Sequence, residues 1–514
     1  MIIKRLLVSG LVVLLFGCKA DNLVVDEDLS KQPTGVAAPL SSSEYQNLKP
    51  VKQYQVANKL AATLYKGIPV DEFFNFNTYG SELKVLDAGN QYLTETRNQV
   101  VARLKNRDEY SNTIDLRHDL GTDAQRAKAE PLSIITEYPV SRTQFEAWMA
   151  YVLMNTALFS PAEELPSTNY IDIQRIYNGL LKDMDEDVGI REIVLAQMKS
   201  EESWRRFRSP EDNTREMMEI YLGLFDRDED VLKASVACKN WSLTDESKPD
   251  VRTRYVLVKT NRVNTEPQRV LGSWVETCDD FYEMVSNHGQ LIPTITATLV
   301  ESFFPTTSAG KRSAIVADIM SVNPTRFHDI FTAIIFSREY LLNNERLKNF
   351  EEIFFNLIQR TKWKQTNDNF LRELASNSNN NRVGMREMRQ PTMTMKLGRV
   401  VGESIDPLSF AYIQQTVREQ VLTRVRTDWG SWEDTFIGDG DLFSTDEYIH
   451  YLFLTALSRQ ATVEELDTIN QAFIDSDNES GNNFRENQAS IVFDYISRLP
   501  DLYYLKTITI GEAQ

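Results

Sequence analysis

Apolar residues recur at three- and four-residue steps along most of this chain, and that spacing predicts helices. Val51, Tyr54, Ala57, Leu60, Ala61 and Leu64 share one helical face before Gly67 and Pro69 end the pattern. Ser141-x-x-Gln144 predicts a capping box that opens an apolar helix over 145–159, each side chain satisfying the other's backbone N–H. Ser209-Pro210 supplies an N-cap and a first-turn proline for a helix ending near Phe225. Further helices are expected at about 170–184, 189–200, 228–241, 276–287, 310–321, 325–343, 348–360, 404–426, 444–458, 462–475 and 484–498. Strand-like runs are limited to 255–258 and 503–510, and 376–381 reads as an exposed Asn-rich loop. No internal repeat is evident. The expected fold class is therefore mainly α, a multi-helical globular protein with few short strands.

The first residues follow a different logic. Lys4 and Arg5 precede an apolar run over 6–16, which ends at Gly17-Cys18. A basic start, an apolar core and a small residue before the cut are the parts of a secretory signal. The run is too short to span a bilayer, which needs ~20 apolar residues. Leu15-Phe16-Gly17-Cys18 resembles the bacterial lipobox, which implies cleavage after residue 17 and lipidation of Cys18; the alternative is an ordinary cleaved signal with an incidental cysteine. Lipid chains on Cys18 would attach the protein to a membrane, at ~0.8 kcal/mol per buried methylene. By resemblance to lipoprotein sorting rules, Lys19 implies an outer-membrane lipoprotein of the cell envelope, facing the periplasm or the cell surface. Residues 18–43, with Pro33, Gly35, Pro39 and Ser41-Ser42-Ser43, read as a flexible lipidated tether. Beyond it we expect an N-terminal helical region at 44–165, a helical core at 166–375, an irregular and partly helical connector at 376–440 and a C-terminal helical region at 441–514.

Composition narrows the partners. Charged residues make up 25% and hydrophobic ones 42%, as in a globular protein rather than a disordered one. Loss of Lys4 and Arg5 with the signal leaves 54 basic against 74 acidic residues, a formal charge of −20. Such a surface repels phosphate backbones, so no nucleic-acid partner is expected. After Cys18 only Cys238 and Cys278 remain. In an exported chain this even pair is a candidate disulfide, worth ~4 kcal/mol for a loop of about 40 residues; two buried thiols are the alternative.

One stretch resembles a known family. Asn213-Thr-Arg-Glu-Met-Met-Glu-Ile-Tyr-Leu-Gly223 is followed by a segment from Asp230 to Trp241-Ser-Leu243. Together they are similar to the signature of exported bacterial proteins catalogued as domain of unknown function 1800. Phe336-Ser-Arg-Glu-Tyr340 resembles that family's closing element, so the likeness covers roughly 170–345. It implies an exported helical protein, with an exported phosphatase- or sulfatase-like protein as the implied partner. It does not imply a reaction.

Several constellations bear on candidate chemistry. On the signature helix, Arg215, Glu216 and Glu219 are weak catalytic candidates: two carboxylates in a cleft, with a guanidinium tuning their charge. The competing reading is a solvated face whose Arg215–Glu219 pair contributes ~0.3–0.5 kcal/mol. Asp475, Asp477, Glu479 and Glu486 fall at positions 1, 3, 5 and 12 of an EF-hand-like spacing, a weak Ca2+ candidate. Ser480 stands where Gly makes the sharp turn, so a polar loop is the competing reading. His118, His288, His328 and His450 form no local metal motif, and Ala309-Gly-Lys-Arg-Ser313 reads as a helix start rather than a phosphate loop. Trp429 and Trp432 suit either sugar stacking or core anchoring. The leading functional expectation is a membrane-anchored scaffold or interaction lipoprotein working with another exported protein. A carboxylate-dependent hydrolase of an extracellular substrate and a glycan-binding lipoprotein are the alternatives.

Overall fold

The computed structural model describes residues 23–24, 32–75, 83–104, 131–158, 170–207, 209–245, 255–260, 266–362, 414–415, 417–419, 444–476 and 484–510. Cys18, Asp477, Glu479, His118, Trp429 and Trp432 lie outside these residues.

The fold is mainly α, and its described sheets are two-stranded antiparallel ladders. Helices α1 (Ser42–Gln46), α2 (Pro50–Thr63), α3 (Val70–Phe73) and α4 (Asp87–Val101) come first. They are followed by α5 (131–137), α6 (Arg142–Asn155), α7 (Tyr170–Asp185), α8 (Ile190–Met198), α9 (Glu201–Arg206), α10 (Pro210–Glu216) and α11 (Asp228–Ala237). The strands 241–245 and 255–259 and the hairpin 268–275 lead into α12 (Cys278–Asn287), α13 (Leu291–Phe303), α14 (Ala309–Ser321), α15 (Phe327–Ile335) and α16 (Phe350–Arg360). Helices Thr445–Leu457, Val463–Asp475 and Phe484–Ile496 follow, and then a short helical turn, Pro500–Tyr503.

Burial explains which helices lie innermost. The face predicted on α2 is buried from Tyr54 onward, and so are Gln53, Asn58, Lys59 and Thr63, so most of α2 is enclosed. The same holds for α6, in which every residue from Gln144 to Tyr151 is buried. A helix apolar nearly all round belongs in a core. Trp148 of α6 anchors that core, with its ring 5.4 Å from Phe145, 5.4 Å from Phe331 and 6.1 Å from Phe303. Among the described residues, no helix is long and apolar enough to cross a membrane.

Several local expectations need correction. Ser141 accepts from the Gln144 N–H as an N-cap, yet the Gln144 side chain donates to Leu64 O and Ile135 O instead of closing the box. Burial of α6 offers it those unpaired carbonyls, whereas a surface helix would not. The helix expected over 228–241 ends at Ala237, and Trp241 opens a strand paired to 255–259. The helix expected over 325–343 breaks after Ile335 and resumes as a π turn, Glu339–Asn343. The expected strand at 503–510 reduces to Tyr504–Leu505, paired with Arg346–Leu347. Helix α4 was not anticipated: Leu93, Val100 and Val101 are too sparse to set a period, and Leu86 provides no side-chain cap.

The largest correction concerns the expected tether. From Gln32 onward it is a docked strap, and Ala37 and Leu40 are buried. Val36 and Ala37 donate their N–H groups to Asp318 Oδ2 at 2.6 and 3.1 Å. Leu40 N–H donates to Phe336 O at 2.9 Å, and Arg338 N–H to Ala38 O at 2.8 Å. Ser41 caps α1, forming a reciprocal box with Glu44. Two apolar anchors among Pro, Gly and Ser do not register as periodicity, so sequence pattern reads this stretch as a linker.

Candidate functional site

The signature helix α10 starts as its residues dictate, with the Ser209 hydroxyl accepting from the Asp212 N–H and Pro210 in the first turn. It continues as a π turn over Met217–Tyr221, and Gly223 at φ +63° stops it short of Phe225. A positive φ costs a glycine little, which suits it to that stop.

The most specific signature residues prove structural. Asn213 is fully buried, and its Oδ1 accepts from Tyr282 OH on α12 at 2.6 Å. Thr214 is also fully buried and donates to Val231 O on α11 at 3.4 Å. The Asn-Thr pair thus ties α10 to both neighbouring helices.

Arg215 and Glu219 lie on the outer side. Arg215 Nη1 is 2.7 Å from Asp228 and 3.9 Å from Glu219, and Nη2 is 3.6 Å from Glu211. The Asp228 carboxylate is largely exposed, and its hydrogen bond holds the Arg215 pKa above the ordinary value. Solvent screens such a network, so each pair contributes under ~1 kcal/mol. Glu216 is half-buried on the same helix. The structure therefore brings Arg215 and Glu219 together as a surface ion network.

Two devices hold this region rigid. Cys238, at the end of α11, is bonded to Cys278, the first residue of α12, and both are fully buried. Arg205 on α9 donates through Nε and Nη2 to Asp172 on α7 at 2.8 and 2.5 Å, with both side chains fully buried. Its Nη1 reaches Tyr255 O at 2.9 Å and pairs with Glu201, while Leu257 N–H donates to Glu201 Oε2 at 3.1 Å. These bonds glue the strand pair onto α9. Trp241 then packs between Trp204 at 5.7 Å and Tyr282 at 5.6 Å, with Lys259 Nζ 3.7 Å from its ring centroid.

Around this rigid block several large apolar side chains face solvent: Trp274 at 71%, Leu232 at 54%, Phe225 at 49% and Val236 at 37% exposure. Leu232 and Val236 share a face of α11, four residues apart. Trp274 projects from the hairpin 268–275, which packs on α11 and is tied to it by Leu271 N–H donating to Asp230 Oδ1 at 3.0 Å. Sequence pattern missed this face. Val231, Ala234 and Ala237 form the buried stripe of α11, and nothing in the spacing separates them from the exposed pair.

The remaining candidates are local. Asp475 ends the helix Val463–Asp475 and accepts from Gln471 Nε2 at 2.8 Å, and Glu486 lies in the first turn of Phe484–Ile496. Among the described residues, no group of three or more His, Cys, Asp or Glu side chains is arranged to hold a metal ion. His288 Nδ1 accepts from Gln290 N–H at 3.1 Å, and His450 Nδ1 from Ala461 N–H at 3.2 Å. Burial holds His450 below its ordinary pKa. His328 is buried 3.5 Å from Glu146. Residues 309–313 open α14, as expected of a helix start, with Ser308 as its N-cap. The chain matches no family model, no curated protein and no solved structure with which it was compared.

Proposed function

We propose that this chain is a membrane-anchored helical scaffold, held at the outer membrane through Cys18, that docks another exported protein. The single observation carrying this reading is the set of exposed apolar side chains, Leu232 and Val236 on one face of α11 with Phe225 and Trp274 on the adjoining segments, on a framework pinned by a disulfide and a buried ion pair. Exposed apolar groups clustered on a rigid element mark interaction surfaces more often than catalytic ones. The sequence supports export independently, through its signal segment and its resemblance to an exported family. That resemblance also suggests the partner class, a phosphatase- or sulfatase-like exported protein. The hydrolase alternative draws nothing from Arg215 and Glu219, whose mutual contacts are those of a solvated ion network.

Co-purification from native membranes in mild detergent tests the reading. We expect one exported protein of that class in about stoichiometric amount with the wild type. Leu232→Ser/Trp274→Ser should lose it while remaining folded and in the membrane fraction. A partner retained at full yield by the double variant would refute the docking face, and a Cys18→Ser chain still held by membranes would refute the anchor.

A further inference from the structure

A cavity of about 120 Å³ lies where the strap crosses α4 and α15, well apart in sequence from the docking face. Arg97 of α4, Pro39 of the strap, and Asp329, Thr332, Ala333 and Phe336 contribute to its wall. Arg97 is the residue that points to a ligand. Its guanidinium is half-buried, sits 5.2 Å from the Phe336 ring centroid, and donates from Nη2 to Leu40 O at 3.2 Å. A guanidinium has five N–H donors, and among the described residues no carboxylate lies within ion-pair distance of this one. Burial alone pulls its pKa down, as expected for a cation without a counter-ion, yet arginine stays charged.

The other charge in the wall is already spent. Asp329 Oδ2 accepts from the backbone N–H groups of Thr325 and Arg326 at 3.0 and 2.9 Å, and Oδ1 lies 3.4 Å from Arg326 Nη2. Asp329 therefore serves as the cap of α15, and its charge is matched from its own side. The uncompensated charge in the cavity is positive.

We propose that this cavity binds a small organic carboxylate through the Arg97 guanidinium. A planar carboxylate matches the remaining donors of the fork bidentately. Phe336, Ala333 and Pro39 offer apolar surface to a short carbon chain. The volume has room for about four water-sized groups, which limits the ligand to the scale of acetate or lactate. Because the strap forms one wall, a bound carboxylate also fastens residues 32–40 to the body.

The test uses the purified full-length lipidated chain in mild detergent at constant ionic strength, titrated separately with acetate, lactate, chloride and inorganic phosphate. Melting temperature and amide exchange at Leu40 are the readouts. We expect saturable stabilisation by acetate or lactate, with slower Leu40 exchange. Arg97→Gln should weaken that binding roughly tenfold or more. Ala333→Met, which fills the cavity but keeps the guanidinium, should weaken it as much. No saturation of the wild type by about 10 mM of either carboxylate, or equal saturation of Arg97→Gln, overturns the proposal. Equal stabilisation by phosphate or chloride overturns it as well. A lost docking partner with carboxylate binding intact, or the reverse, separates this site from the scaffold reading.

Discussion

Gly35→Ala should release the strap without unfolding the body. Gly35 sits at φ +72°, a conformation that costs an L-residue ~1–2 kcal/mol. A Cβ built there falls 2.7 Å from Asp318 Oδ2 and 2.9 Å from Oδ1, so the carboxylate must move away. That same Oδ2 accepts from Val36 and Ala37, and loss of one such charge-assisted bond costs ~1.5–3 kcal/mol. Together the two effects weaken strap docking by about 3 kcal/mol, roughly a hundredfold in the opening equilibrium. Hydrogen exchange reads this directly at Leu40, whose N–H is bonded to Phe336 O. We expect Leu40 exchange to quicken about a hundredfold while amides of α6 keep their wild-type rates. Leu40 exchange within roughly threefold of wild type would show that the Gly35–Asp318 contact does not hold the strap.

Three further predictions concern the rest of the molecule. Arg205→Met removes the buried guanidinium bonded to Asp172 and should cost ~3–5 kcal/mol in urea unfolding; a loss below ~1 kcal/mol would mean that the pair does not stabilise the fold. Cys238→Ser/Cys278→Ser should lower unfolding free energy by ~4 kcal/mol, with the wild type falling to the same value under reductant. Lys59, Lys66 and Lys348 are pushed down to about 7 by burial, from an ordinary 10.5, so between those values the unfolded chain holds protons that the folded chain lacks. Raising pH removes that advantage of the unfolded state, so stability should climb from pH 7 toward pH 9.5 by up to about 1.4 kcal/mol per unit per lysine. Burial also raises Tyr54 and Tyr340, so the gain reverses above pH 10; a flat urea midpoint from pH 7 to 9.5 would refute the linkage.

What the sequence made legible follows from how burial writes itself into a pattern. Helices such as α7 and α12 were readable because one face is buried and the other solvated, and that contrast is what periodicity records. Polar caps were readable for the same reason, since Ser209 satisfies a local backbone group within three residues. Features set by distant neighbours were not readable. Trp241 leaves its expected helix because Trp204 and Tyr282, from two other elements, provide its pocket. Leu40 is anchored by Phe336, nearly 300 positions away, and no local pattern encodes that. The exposed apolar pair was hidden for the opposite reason: Leu232 and Val236 are apolar residues on the solvent side, where pattern assigns polar ones.

One segment bears contacts from both ends of the described chain. The strap bonds to Phe336 O and to Arg338 N–H, at the entry to the π turn Glu339–Asn343. The C-terminal residues bond to its exit: Ile508 N–H donates to Leu342 O at 2.7 Å, and Tyr504–Leu505 pairs with Arg346–Leu347. Lys59 Nζ on α2 bridges the two, donating to Asn344 O at 2.5 Å and to Lys506 O at 3.0 Å. Such convergence accounts for the interrupted helix, since a π turn or an extended stretch frees backbone groups that a regular helix would consume internally. On the anchored reading, a pull through residues before Gln32 is met first at 336–347, where α2 and the C-terminal residues share the load. The disulfide-pinned block carrying Leu232 and Trp274 is then spared, so a partner docked there need not feel the tether.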